Sequence, residues 1–184
     1  MSDMLVARCQ LGEPEALTEL VTTWHDRVHT YVRRMLDDRR ADDVTQDIWV
    51  RVLRGLPRLR DPDKFAPWLF SIARRACADR LRAEYARQET LTDLVSEGPP
   101  VGETDTTDPI AGMLDREELV RAMRALPAAE REAVLLFYVA DLAVEDCAVA
   151  CGVPVGTVKS RLHRARRLLR VELEAGTQTR GDTT

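Results

Sequence analysis

The residues most able to do chemistry lie near the C-terminal end, in the segment Leu142 to Arg170, LAVEDCAVACGVPVGTVKSRLHRARRLLR. Cys151-Gly152 predicts the end of a short helix, because glycine takes the left-handed conformation that closes one. Val153 plugs the turn, Pro154 restarts the chain, and a longer helix is predicted beyond it. On that helix Val158, Leu162, Ala165 and Leu169 share an inward face. Lys159, Ser160, His163, Arg164, Arg167 and Arg170 lie on or near the opposite one. A short helix, a glycine turn and a basic helix form the layout of a helix-turn-helix unit. The chemistry this offers is recognition of a polyanion. The first turn presents free N–H groups and a positive dipole end to phosphate. Side chains of the first turns reach base edges, and later arginines meet the backbone. A basic amphipathic helix packed on a helical bundle has the same pattern, and pattern alone leaves both readings open.

Two further constellations sit in the N-terminal half. A predicted helix from about 41 to 56 carries a core face of Val44, Ile48, Trp49, Val52 and Leu53. Its other face holds Asp43, Gln46, Asp47, Val50 and Arg54. Val50 is apolar in a polar surround, which suits a protein-binding surface, although single exposed apolar residues are common. A loop from 57 to 67 follows, with Arg58, Arg60 and Lys64. The next predicted helix runs to about 87 and carries Arg74, Arg75, Arg80, Arg82 and Arg87, with Phe65, Trp68 and Phe70 at its start.

The elements that must position these residues are helical. The chain has 184 residues, 45% of them hydrophobic, 5% aromatic and 32% charged. This is enough for a packed core and poor in the runs that strands prefer. Leu17, Leu20, Val21, Trp24, Val28, Tyr31, Val32 and Met35 form one helical face. Gly12-Glu13-Pro14 separates that helix from a shorter one before it, and Asp37 to Arg40 is a polar break. Residues 88–112, with Gly98-Pro99-Pro100 and few large apolar side chains, read as a flexible linker. The expected organisation is therefore a domain over 1–87, a linker over 88–112, a second domain over 113–175 and a disordered tail over 176–184. The second domain is predicted as four helices, at about 113–125, 128–139, 143–150 and 154–174.

The net charge of −4 hides segregation. Glu89 to Asp115 holds seven acidic residues and no Lys or Arg, whereas Lys159 to Arg170 holds six basic residues and no acid. Local charge decides what a face attracts. Cys9, Cys77, Cys147 and Cys151 form no CxxC pair, no signal peptide precedes them, and no apolar run approaches the ~18 residues of a membrane span. A reduced, cytoplasmic setting is the expectation.

The residues quoted above carry a resemblance. PVGTVKSRLHRARRLLR resembles the signature of region 4 in the extracytoplasmic-function (ECF) sigma factors of the sigma-70 family. LPAAEREAVLLFYVADLAVEDCAVACGV is similar to the lead-in to that region. Ala41 to Asp47 (ADDVTQD) resembles the region 2 helix, and Phe65 to Arg74 (FAPWLFSIAR) resembles the segment after it. The match spans about 10–87 and 115–173, in the family's order. Two positions depart from it. Arg75 stands where the family commonly has Asn, and Cys147 where it commonly has Ile.

The resemblance implies an all-α protein of two small helical domains on a flexible acidic linker. It implies a transcription-initiation subunit rather than an enzyme, with no cofactor, no metal and no small-molecule substrate. Its implied partners are core RNA polymerase, promoter DNA and an anti-sigma protein, with no membrane insertion. Asp43, Gln46, Asp47 and Val50 become the polymerase-docking face, since Asp43 and Asp47 would repel phosphates. Arg58, Arg60, Lys64, Phe65, Arg74 and Arg75 become candidates for the −10 element, where single-stranded bases are captured. Trp68 falls one turn before Ile72 and is assigned to the core. Thr157, Lys159, Ser160, Arg161, His163, Arg164 and Arg167 become candidates for the −35 duplex. The acidic linker has two open readings, mimicry of nucleic-acid charge in the polymerase cleft and simple solubility.

Other signals are weaker. His25 and His29 stand at i, i+4 with no acidic or Cys partner at a fitting spacing. Cys147 and Cys151, also i, i+4, read as a buried structural pair, with a redox-sensing pair as the alternative. No phosphate loop, HExxH or GxSxG occurs. A conventional helix-turn-helix regulator would share the C-terminal motif, and the N-terminal helices separate the two readings.

Overall fold

The computed structural model describes residues 2–36, 40–92 and 116–181, and among them there is no strand. Eight α-helices follow in order: α1 Ser2–Gln10, α2 Pro14–Met35, α3 Ala41–Gly55, α4 Phe65–Thr92, α5 Arg116–Ala125, α6 Ala128–Val134, α7 Val144–Cys151 and α8 Val155–Gly181. The expected linker lies for the most part outside the described residues, as does Asp37 to Arg39 of the polar break.

The amphipathic stripe of α2 buries Ala16, Leu20, Trp24, Val28, Tyr31 and Val32. Steps of three and four keep these side chains on one face. α3 buries Val44, Thr45, Ile48, Trp49 and Val52 against it. Leu53, expected in the core, is instead 41% exposed, because it falls past the edge of that stripe. Phe65 and Phe70 of α4 meet Trp24 edge-on, with ring centroids 5.7 and 6.4 Å apart, and Tyr31 meets Phe70 at 5.5 Å. Edge-to-face packing of this kind adds to plain area burial.

The connection between α3 and α4 is two short 3-10 turns, Leu56–Arg58 and Pro62–Lys64. The Gln10 side-chain amide donates to the carbonyls of Leu56 (2.9 Å) and Leu59 (2.7 Å), so α1 fixes this loop. Trp68 packs over it from α4 as a half-buried member of the core, as assigned from sequence.

In the C-terminal half, α6 runs directly into a π-helical turn, Leu135–Val139, closed by Ala140 N–H donating to Leu135 O at 2.9 Å. Such a turn inserts one residue into the helical register. Asp141 just after it has φ 57°, a left-handed backbone that Asp tolerates better than most residues. α5 and α6 pack on α8, and α7 packs on both α8 and α4.

Two helices run further than their sequence predicts. α4 continues past 87 to Thr92, and α8 continues through the expected tail to Gly181. No proline intervenes, and each added residue gains a hydrogen bond once a helix is nucleated.

The two halves share one hydrophobic core. α4 lies along α7, and α2 lies against α6 and the π-helical turn.

A Cβ added at Gly55 would sit 2.8 Å from Cζ2 of Trp68. Gly55→Ala therefore displaces a ring wedged in the core. It should cost about 1–3 kcal/mol, read as a lower midpoint in denaturant unfolding followed by tryptophan fluorescence.

Candidate nucleic-acid interface

The helix-turn-helix is built from α7 and α8. Gly152 closes α7 with φ 66° and ψ 37°. Its N–H donates to Val149 O (3.2 Å), and the Val153 N–H donates to Ala148 O (3.1 Å). This pair of bonds is the Schellman closure, and it fixes the angle at which α8 leaves. Val158, Leu162 and Ala165 are buried beneath α8 and Leu169 is half-buried, so the predicted inward face is the one observed.

The outward face carries Lys159, Ser160, His163, Arg164 and Arg167, all exposed. Thr157 and Arg161 are half-buried at the rim. The Ser160 hydroxyl donates to Thr157 O at 2.9 Å. Arg164 leans 3.4 Å from the buried Glu130 carboxylate of α6, which leaves it less free than its neighbours. Arg166, not singled out from sequence, donates to the Tyr138 hydroxyl at 2.9 Å and lies 5.8 Å above that ring's centroid. Only the fold shows this pair, since the residues are 28 positions apart.

A second basic surface lies at the α3–α4 connection. Arg58, Arg60 and Lys64 are exposed there. Arg75 folds back on its own helix, donating to Ser71 O at 3.0 Å and Ser71 Oγ at 3.1 Å. Phe65, expected among the −10 candidates, is fully buried against Trp24 and Trp68 and offers no ring face to a base. Its place at the start of α4 turns it inward, where the aromatic cluster excludes water. Arg74 points toward the C-terminal half, with Nε 2.9 Å from Glu132 Oε1.

The third surface is the outer face of α3. Asp43, Gln46, Asp47 and Val50 are all exposed, Val50 by 39%. Asp43, Gln46 and Asp47 border a groove of about 380 Å³ against α4, shared with Arg40, Arg51 and Arg80. Those arginines are engaged, Arg51 with Asp79 at 3.6 Å and both Arg40 and Arg80 with Glu84. Among the described residues neither Asp43 nor Asp47 forms an ion pair, so two carboxylates and a valine stand open to a partner.

All four cysteines are free thiols and buried. Burial pushes Cys147 up to about 11, and burial together with the Glu132 carboxylate pushes Cys77 and Cys151 up to about 12. Thiols held protonated are poor nucleophiles and poor metal ligands. Among the described residues there is no cluster of three metal-ligating side chains. His25 and His29 stack with ring centroids 5.9 Å apart, and His29 Nε2 lies 2.9 Å from Asp42 Oδ1. Helix packing thus supplies an acidic partner that spacing along α2 did not. No described helix is long and apolar enough to cross a membrane.

Residues 20–87 match the sigma-70 region 2 family model and residues 116–169 match that for sigma-70 region 4. The chain is 31% identical over 163 residues to the ECF RNA polymerase sigma factor SigC of Mycobacterium tuberculosis, covering 89% of this chain and 86% of that one. It belongs to the ECF sigma factors. SigW of Bacillus subtilis is 26% identical over 181 residues, covering 91% of this sigma factor and 94% of its relative. The fold is shared with the sigma factor RpoE of Bartonella quintana, solved with the anti-sigma factor NepR, at a TM-score of 0.71 over 85% of this chain and 96% of that one. The sigma factor is thus a transcription-initiation subunit and not an enzyme. Its α3 face and the α3–α4 surface fall in region 2, and its helix-turn-helix falls in region 4.

Two glycines of region 4 give a paired test. A Cβ at Gly152 or at Gly156 meets open space, but only Gly152 has a left-handed backbone. Gly152→Ala should lose ~1–2 kcal/mol, whereas Gly156→Ala in the first turn of α8, where Ala fits the backbone without strain, should gain ~0.4–1 kcal/mol. Thermal melts of the two variants should move in opposite directions.

Proposed function

We propose that this sigma factor directs core RNA polymerase to its promoters by three surfaces with separate tasks. The open face of Asp43, Gln46, Asp47 and Val50 on α3 docks on the polymerase. Its mix of carboxylate, amide and apolar groups suits a protein partner and repels phosphate. Region 4 binds the −35 element as duplex, with Lys159, Ser160, His163 and Arg164 at base and groove edges, Thr157 beside them, and Arg161 and Arg167 on phosphates. The −10 element is bound and opened at the cationic α3–α4 surface, by Arg58, Arg60, Lys64, Arg74 and Arg75. The observation that carries this reading is the sorting of charge on α8. Lys159, His163, Arg164 and Arg167 stand exposed above a packed inner face, and no acid interrupts the helix from Lys159 to Arg170.

Its place of action is the cytoplasm, where polymerase and chromosome are. An anti-sigma protein is a further partner, supported by the Bartonella quintana relative, which was solved in complex with one.

Run-off transcription with purified core polymerase, this sigma factor and a promoter library is the test. Specific transcripts should require the protein and vanish with Asp47→Arg, while the variant keeps the wild-type melting temperature. Transcripts that persist undiminished with Asp47→Arg would overturn the assignment of this face to polymerase docking. Within region 4 the two kinds of contact separate by salt. Arg167→Ala should flatten the log–log salt dependence of holoenzyme binding by about 0.9, the signature of one lost phosphate contact. His163→Ala should cost ~1–3 kcal/mol at one base pair and leave that slope in place.

A further inference from the structure

The seam between regions 2 and 4 holds a buried carboxylate with partners from both sides. Glu132 of α6 is 6% exposed. Its Oε1 accepts from the Tyr31 hydroxyl of α2 at 3.3 Å and lies 2.9 Å from Arg74 Nε of α4. The arginine approach is close but off-axis, so Nε makes an ion pair without an aligned hydrogen bond. Its Oε2 takes the Cys151 thiol of α7 at 3.7 Å. At the outer edge of the same seam, Lys64 Nζ sits 3.3 Å from Asp146 Oδ1 of α7. The Arg27 guanidinium adds a bond to Ala140 O at 3.4 Å.

Arg74 and Lys64 are also two of the cations assigned above to promoter DNA. A carboxylate beside a guanidinium and another beside an ammonium stand where phosphate oxygens would stand. We propose that Glu132 and Asp146 are an internal latch, which holds regions 2 and 4 closed by pairing with Arg74 and Lys64 and frees the charge of these two cations for nucleic acid when the seam opens. This rests on the promoter-binding reading of the α3–α4 surface.

The latch is reversible for a physical reason. Glu132 gives up hydration in the closed form and recovers it on opening, so its pair with Arg74 contributes little net stability. Asp146 and Lys64 are partly exposed and screened by salt. A polyanion that pairs with Arg74 and Lys64 in the open form therefore shifts the population toward it.

Cys77 and Cys151 report the state of the seam. Both are buried, and both lie near enough to Glu132 for its charge to raise their pKa, so the closed form keeps them protonated and covered. Cys9 of α1, buried within region 2, is the internal control. The experiment is alkylation of the full-length protein by iodoacetamide at pH 8, with each modified cysteine quantified by mass spectrometry. In Glu132→Gln/Asp146→Asn, Cys77 and Cys151 should react about ten- to hundredfold faster than in wild type while Cys9 keeps its rate, and Asp146→Asn alone, which leaves the Glu132 charge beside both thiols, should speed them in the same direction. Added salt or a single-stranded oligonucleotide should accelerate the same two thiols in wild type. Lys64→Asp should speed them as well, and Lys64→Asp/Asp146→Lys should slow them again, which simple misfolding would not do. Equal rates in wild type and the Glu132→Gln/Asp146→Asn variant, or acceleration of Cys9 in step with the other two, would overturn the latch. Because the variant and salt arms need no DNA, seam opening by those arms that no oligonucleotide accelerates would remove the promoter-binding reading of the α3–α4 surface and leave the seal itself standing.

Discussion

Glu132 carries its charge into a nearly closed seam, and the groups around it keep that charge accompanied. Tyr31 arrives from α2, Arg74 from α4 and Cys151 from α7. A carboxylate buried alone would be neutralised or would force its surroundings apart. Its position therefore requires that the two halves be in register, with α4 along α7 and α2 against the π-helical turn. The joint is mixed in character: apolar side chains of both halves share one core around it, and the Glu132–Arg74 pair within it has solvation to regain on both sides when it opens. Tyr31 pays for membership in kind, since burial and the neighbouring Glu132 push its own pKa well up and keep the hydroxyl a donor.

Charge segregation continues within the C-terminal half. Its buried charged residues among those described are all glutamates, Glu118, Glu130 and Glu132. Glu130 and Glu132 lie two apart on α6 and serve different neighbours, Arg164 of α8 and Arg74 of α4. A single short helix thus moderates one cation on each of two basic surfaces. Lys159, His163 and Arg167 have no such partner among the side chains described and keep their full reach.

Much of this was legible in the sequence, and the exceptions have a common cause. The two faces of α8 were readable because a 3.6-residue period and Gly152 are local signals. The exposed Asp43–Gln46–Asp47–Val50 face was readable for the same reason. Phe65 was not, because its burial depends on Trp24, 41 positions earlier. Glu132 was not, because it is one acid among several in a charged stretch until Tyr31 and Arg74 arrive beside it. Leu53 was misjudged because it sits past the edge of the α3 stripe, and the ends of α4 and α8 because helix propensity is shallow there, so that α8 runs on through Gly176, where the tail was expected to begin, to Gly181.

The contact between Gly55 and Trp68 leaves a mark on the sequences that this fold can visit. The ring fills the space that a side chain at position 55 would need, at 2.8 Å. Neither residue can therefore be judged by its own substitution. A smaller residue at 68 must come first for any side chain at 55 to be harmless, and once it has come, the return to tryptophan is closed. The order in which changes arrive, as much as their chemistry, decides which descendants of this chain keep the loop from which Arg58, Arg60 and Lys64 project.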